Sequence, residues 1–176
     1  MKSTGVVRRI DELGRIVIPK EIRKNLRIGE GENLEIYIEQ DKIILKKHST
    51  IKELEDFAFK FTEAIYSFIK GNIIITDREN IIAVSGPLKK EISNKELSKE
   101  LLASLNRREN ILENHKKELK LTNNKKIECT YIIKTITVES EVVGMLIIVN
   151  EINKIGEIEE KIANICVNFL EKYLEQ

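Results

Sequence analysis

Tryptophan is absent from this 176-residue chain, proline and cysteine occur twice each, and there are eight glycines. So little proline and glycine excludes collagen-like and low-complexity classes, and 41% hydrophobic against 34% charged residues excludes a disordered chain in favour of a folded one. Cys129 and Cys166 are 37 positions apart, with no second Cys or His at metal-ligand spacing. That argues against a disulfide scaffold and a zinc site and leaves two buried thiols, with no metal and no cofactor indicated. Long apolar runs are missing too. Nothing approaches the roughly 18 residues of a membrane span, and charges at Lys2, Arg8 and Arg9 fall where a signal peptide needs its apolar stretch. A cytoplasmic protein without a membrane segment is the expectation.

The chain as a whole also lacks an excess of one charge, netting +1, but its beginning does not. Within residues 1–27, Lys2, Arg8, Arg9, Arg15, Lys20, Arg23, Lys24 and Arg27 face only Asp11, Glu12 and Glu21, a net of +5. Residues 28–50 net −2 and the remainder another −2. Positive charge gathered at one end is what an anion-binding face requires.

The first fifty residues read as short strands around one small helix. Residues 5–10 and 15–18 are β-branched runs separated by Asp11, Glu12, Leu13 and Gly14, a hairpin turn. Pro19 suits the first position of a helix of about two turns, which stops before Gly29 and Gly31. Leu34, Ile36 and Ile38 alternate with polar neighbours, and a second strand over Lys42–Lys47 follows a turn at Gln40 and Asp41. A unit this small covers its apolar strand faces poorly, so a partner chain is expected to complete it.

Thr50 and Glu53 form a capping box, and Ile51, Leu54, Ala58, Phe61, Ile65 and Phe68 follow at heptad spacing, a connector helix that begins between subunits and ends in the next core. Beyond it come two apolar strands, Asn72–Thr76 and Ile81–Ser85. A helix capped by Ser93 and Glu96 follows, with Leu97, Leu101, Leu102 and Leu105 on its buried side. Residues 106–126 are polar without clear period and stay unassigned. Residues 127–138 and 142–150 make a long hairpin, and the last helix carries two adjacent apolar stripes, Ile155, Ile158, Ile162, Ile165 and Phe169 beside Ala163, Cys166, Leu170 and Leu174. The layout is α+β, with the terminal helices stacked on one sheet face.

On a helical wheel Lys20, Arg23, Lys24 and Arg27 share one face while Ile22 and Leu26 point the other way. Arg8, Arg9 and Arg15 flank the preceding turn, and Arg outnumbers Lys, which suits two-pronged contacts to phosphates and guanine edges. Nucleic acid is the partner this pattern favours, and two such faces in a two-fold dimer would match the phosphates of a duplex. No catalytic constellation stands out. His115 has no carboxylate or Cys partner at useful spacing, His48 reads as a linker residue at the end of a strand beside Lys46 and Lys47, Ser85, Gly86 and Pro87 lack the nucleophile-elbow pattern, and Asp77 and Glu79 fit a turn. The chain is not expected to be an enzyme.

The stretch MKSTGVVRRIDELGRIVIPKEIRKNLRIGEGENLEIYIEQDKIILKKHS closely resembles the N-terminal module of the AbrB family of transition-state regulators. The resemblance implies a swapped-hairpin β-barrel over residues 1–50, formed by two chains that exchange hairpins. With the length of the chain, it further implies a connector helix over 51–71 and a GAF-like sensory domain over 72–176, its antiparallel sheet flanked by helices. The implied function is a sequence-selective transcriptional regulator of sporulation genes, activating or repressing, located in the cytoplasm on the nucleoid. Its partners are double-stranded DNA, further copies of the chain up to a homotetramer, and an unidentified small molecule at the GAF-like domain. The family's DNA-contacting arginines fall on Arg8, Arg15 and Arg23, and on Lys24, which keeps the charge without the planar fork. Arg9, Lys2 and Lys20 are further DNA-binding candidates from charge alone. The alternative from another class is a dimeric interaction module of the antitoxin type. An apolar second half long enough to fold, where antitoxins carry a disordered tail, counts against it.

Overall fold

A computed structural model describes residues 6–31, 33–47 (the side chain of Lys47 aside) and 55–175. The chain divides into two compact units, residues 1–48 and 49–176. The capping box at Thr50 and Glu53, and Ile51 and Leu54 of the heptad seam, lie outside the described residues.

In the first unit a short helix α1 (Lys20–Asn25) precedes two strands, β1 (Leu34–Glu39) and β2 (Lys42–Lys47), paired antiparallel with Ile36 opposite Leu45 and Ile38 opposite Ile43. Pro19 caps α1 at ψ 147°, one position earlier than the sequence suggests. The helix ends in a Schellman motif, in which the Ile28 N–H donates to the Arg23 carbonyl (2.8 Å) and the Arg27 N–H to the Lys24 carbonyl (3.2 Å), with Arg27 left-handed at φ 53°. Arg27 therefore leaves the helical face assigned to it. The turn at Asp11 forms, but residues 6–10 and 15–18 are not in strands, contrary to expectation. A strand needs a ladder partner, and one chain supplies none here.

The second unit is built on a five-stranded antiparallel sheet of order β4-β3-β7-β6-β5. Its strands are β3 (Asn72–Thr76), β4 (Ile81–Ser85), β5 (Ile111–Thr122), β6 (Lys125–Val138) and β7 (Glu141–Asn150). Helices α2 (Glu55–Phe68) and α5 (Glu157–Leu174) cover one face, and the short helices α3 (Lys89–Ile92) and α4 (Lys99–Asn106) belong to the apolar cluster on the other. Both faces being covered, β3, β4 and β7 read as nearly unbroken apolar runs, and the edge strand β5 does not. Ile73, Ile75, Ile132, Ile136, Leu146 and Ile148 pack on the α2/α5 side, while Ile74, Ile133, Met145 and Ile147 pack on the other. Each fully buried isoleucine contributes on the order of 1.5–3 kcal/mol. β6 turns into β7 through Glu139 (φ 49°) and Ser140 (φ 69°), the left-handed pair of a type I′ hairpin.

Three expectations change in this unit. The buried stripe of α2 is Ala58, Thr62 and Ile65, continued by Ile69 just past its end, whereas Phe68 is 82% exposed, because a helix lying on a sheet follows the 3.6-residue period and not a coiled-coil seam. Thr62 is tolerated there since its hydroxyl donates to the Phe59 carbonyl (2.8 Å) and pairs with Ser85 Oγ (2.9 Å). The stretch after β4 is two helices and not one. Ser98 caps the second by accepting from the Leu101 N–H (3.1 Å), and Ser93 instead ends the first, donating to the Lys89 carbonyl (2.7 Å). On α5 the stripe through Ala163, Cys166, Val167 and Leu170 is buried, but Ile158 (71%) and Ile165 (68%) of the second stripe stay exposed. Phe57 and Phe61 of α2 stack with Phe169 and Tyr173 of α5, Phe57 and Tyr173 at 4.4 Å between ring centroids.

Gly86 follows β4 at φ 124°, and a Cβ there would lie 2.7 Å from the Gly71 carbonyl oxygen and 2.8 Å from Asn72 Oδ1. That Oδ1 accepts the Leu88 N–H (2.8 Å), so a methyl group would also break the entry into α3. Gly86→Ala is expected to cost about 3 kcal/mol, read as a lowered urea midpoint. An unchanged midpoint would contradict this account of the turn.

Candidate nucleic-acid interface

Asp11 organises the turn from which the first cationic residues project. Its Oδ1 accepts the N–H of Leu13 (3.0 Å) and of Arg15 (2.8 Å), its own N–H donates to the Arg15 carbonyl (3.1 Å), and its carbonyl accepts the Gly14 N–H (2.9 Å). Gly14 closes the turn at φ 76°, a conformation that costs a residue with a Cβ but not glycine. Asp11 Oδ2 in turn accepts Arg15 Nε at 2.7 Å. The Arg15 backbone N–H above all, then its guanidinium, hold the Asp11 carboxyl below the ordinary carboxylate range. The Arg15 side chain is 71% exposed.

Arg8 and Arg9 lie exposed on one leg of this turn and Arg15 on the other. Lys20, Arg23 and Lys24 are on α1, with Lys20 and Lys24 exposed and Arg23 half-buried. The Arg23 Nε is buried without a hydrogen-bond partner among the described residues. A buried unpaired donor on a cation is costly, and an added acceptor would relieve it. Lys2 lies outside the described residues. Sequence reasoning placed Asp11 in the turn and counted it as opposing charge, but missed it as a member of this group. The signal available was an Asp opening a turn, where it bonds its own backbone, with an Arg four positions on.

Every described residue of the first unit keeps some solvent exposure, and its large apolar side chains are open, among them Val7 (85%), Val17 (74%), Ile36 (69%) and Ile38 (81%). Cations and bare β-branched side chains therefore alternate over the same short segments.

The remaining candidates resolve as structure. Asp77 Oδ1 accepts the N–H groups of Glu79 (2.8 Å) and Asn80 (2.6 Å), a backbone role. Ser85 is buried and bonded to Thr62. His115 is exposed and, contrary to expectation, has a carboxylate nearby, Glu113 Oε1 at 3.8 Å from its Nδ1, because a strand puts residues two apart on one side. His48 lies outside the described residues. Burial pushes the Cys129 thiol up to about 12 and the Cys166 thiol up to about 11. Between α2, β4 and α3 a cleft of about 250 Å³ is lined by Glu55, Asp56, Phe59 and Lys89, the Lys89 ammonium sitting 3.7 Å from the Phe59 ring centroid. No helix among the described residues is long and apolar enough to cross a membrane.

Residues 53–175 match the family model described as stage V sporulation protein T C-terminal, transcription factor, and residues 7–53 match that of the MazE bacterial antitoxin, described as antidote-toxin recognition. The chain is 41% identical to stage V sporulation protein T of Bacillus subtilis (strain 168), over the full length of both. Its first part is 62% identical over 48 residues to the transition state regulatory protein AbrB of the same organism, spanning 27% of this chain and 50% of that one. The GAF domain of an Acinetobacter phosphoenolpyruvate-protein phosphotransferase is 12% identical, with a TM-score of 0.56, covering 73% of this chain and 84% of that one. That likeness gives the fold of the second unit, a GAF-like sheet between helices.

Protonated, buried thiols react slowly with disulfide reagents. At pH 8 the folded protein is expected to leave both cysteines unmodified by Ellman's reagent for hours, and the unfolded protein to release two equivalents at once. Rapid modification of either thiol in the folded state would contradict the packing around β6 and α5.

Proposed function

The chain belongs to the stage V sporulation protein T family of transcription factors, and on that premise we propose a sequence-selective regulator of sporulation genes that grips double-stranded DNA with paired N-terminal units. The observation that carries the pairing is the first unit's lack of any buried side chain among its described residues. Two copies exchanging their hairpins supply each other's core and ladder partners, and the same exchange sets Arg8, Arg15, Arg23 and Lys24 in two-fold repeats that suit the duplex. Arg9, Lys20 and Lys2 add phosphate contacts, which position without specifying. The regulator activates at some promoters and represses at others, according to where the bound protein stands, and it works in the cytoplasm on the nucleoid.

The second unit serves assembly and sensing in this reading. Phe68, Ile158 and Ile165 leave an apolar surface on α2 and α5 that a second copy would cover, taking the hairpin-swapped dimer to a tetramer. The cleft beside Phe59 and Lys89 is the place offered to a small-molecule signal. A second reading, an antitoxin-type interaction module, has the match of residues 7–53 in its favour. Against it stands a folded unit from Glu55 onward, where the antitoxin reading calls for a disordered tail.

Titrating the full chain against salt, on DNA selected by it and on random duplex, tests the proposal. With about six phosphates neutralised, log K should fall with log salt at a slope of about −5. Arg15→Ala is expected to weaken binding to selected DNA by about 10- to 100-fold at matched salt, corresponding to ~1–3 kcal/mol. No binding to either duplex at low salt would favour the interaction-module reading. In solution, Ile165→Lys is expected to convert a tetramer into a dimer by light scattering, and an unchanged mass would move the second interface elsewhere.

A further inference from the structure

The contacts of Asp11 are more than a turn requires. Its Oδ1 alone satisfies the Leu13 and Arg15 N–H groups. The second oxygen is spent on Arg15 Nε at 2.7 Å. An ion pair this exposed adds little stability, and a carboxylate close to phosphates opposes binding to every duplex. What the pair does accomplish is geometric. Arg15 carries five donors in a planar fork, and with Nε engaged its rotamer is fixed while the Nη1/Nη2 edge remains free for a second two-pronged contact. No further partner holds that edge among the described residues. Among the described residues Arg8 and Arg9 have no carboxylate on them, Arg8 donating to the neighbouring Val7 carbonyl at 3.3 Å.

Resting on the DNA-binding reading above, we propose that Asp11 is a specificity-determining positioning residue that aims the Arg15 fork at a guanine edge, leaving Arg8 and Arg9 to the phosphates. A fork of two N–H donors matches the O6 and N7 acceptors of guanine, and a fixed fork rejects bases that lack that pair. The Asp11 charge meanwhile opposes every duplex about equally and leaves the discrimination unchanged. The gap between the correct sequence and any other therefore comes from the held fork.

The test uses the full chain, duplexes that the wild-type chain has selected from a random-sequence library, and unselected random duplex. Asp11→Asn keeps an oxygen for the two backbone N–H groups and removes the acceptor for Nε. Glu12→Gln removes the same charge from the same turn and serves as the control. Glu12→Gln is expected to tighten both duplexes about equally, leaving their affinity ratio unchanged. Asp11→Asn should tighten random duplex similarly yet reduce the ratio at least tenfold. Arg15→Lys, which keeps charge without a fork, should reduce the ratio as far, and adding Asp11→Asn to it should cause no further loss. An Asp11→Asn ratio that stays with the Glu12→Gln control overturns the inference, as does an additive loss in the double variant, the mark of a purely structural residue. A wild type that binds DNA tightly but selects no sequence overturns it and leaves the DNA reading intact. A wild type that binds no duplex removes that reading and the inference together.

Discussion

Apolar surface that one chain cannot bury governs the organisation of this protein. Twelve large apolar side chains of the first unit, from Val6 to Leu45, are exposed in the single chain, and no described residue there is buried. A unit of under fifty residues encloses too small a fraction of its surface to fold on its own contacts. Its β-branched segments are too apolar to remain in water and too short to cover one another. The proposed pairing of two units would answer the shortage of core and the shortage of ladder partners together. It would also fix the spacing of the cationic side chains, so that assembly and DNA recognition become one event. The Asp11 turn and the capped end of α1 would then set where the arginines point inside that pair.

The second unit is organised by the opposite condition. Its sheet is covered on both faces, and Ile73, Ile74, Ile132, Ile147 and Ile148 are fully enclosed, so it folds on its own chain. Its exposed large apolar side chains are Phe68 on α2 and Ile158, Ile165, Phe169 and Tyr173 on α5, with Leu112 and Ile152 elsewhere, and stacked Phe57, Phe61, Phe169 and Tyr173 hold the two helices side by side. In the proposed tetramer the well-filled second unit, with apolar side chains open on α2 and α5, would join pairs of chains that the incomplete core of the first unit makes.

Much of this was legible in the residues. The β1/β2 alternation, the continuous runs of β3, β4, β6 and β7, and the turn residues between them follow from periods of two and from buried faces. β5 was not legible. Ile111–Thr122 lies at the sheet edge with His115, Lys116 and Lys117 exposed, and the charges that keep an edge strand from recruiting other strands also erase its apolar period. The heptad reading of α2 failed at Phe68 because the partner surface is a sheet, and it passed over Thr62, whose hydroxyl pairs with that of Ser85, 23 residues away. Within the candidate interface the cations were visible as charge. That Arg27 leaves the helix and that Asp11 holds Arg15 are matters of backbone geometry, which charge counting does not reach.

The central claim is that the first unit acquires its core from a second copy. Equal amounts of isotope-labelled and unlabelled full chain, unfolded and refolded together, allow isotope-filtered NMR to read contacts between chains alone. The account predicts strong intermolecular NOEs between methyl groups of residues 6–17 on one chain and Ile36, Ile43 and Leu45 on the other. Their absence from the filtered spectrum, with the same methyl groups in contact within one chain, would contradict it.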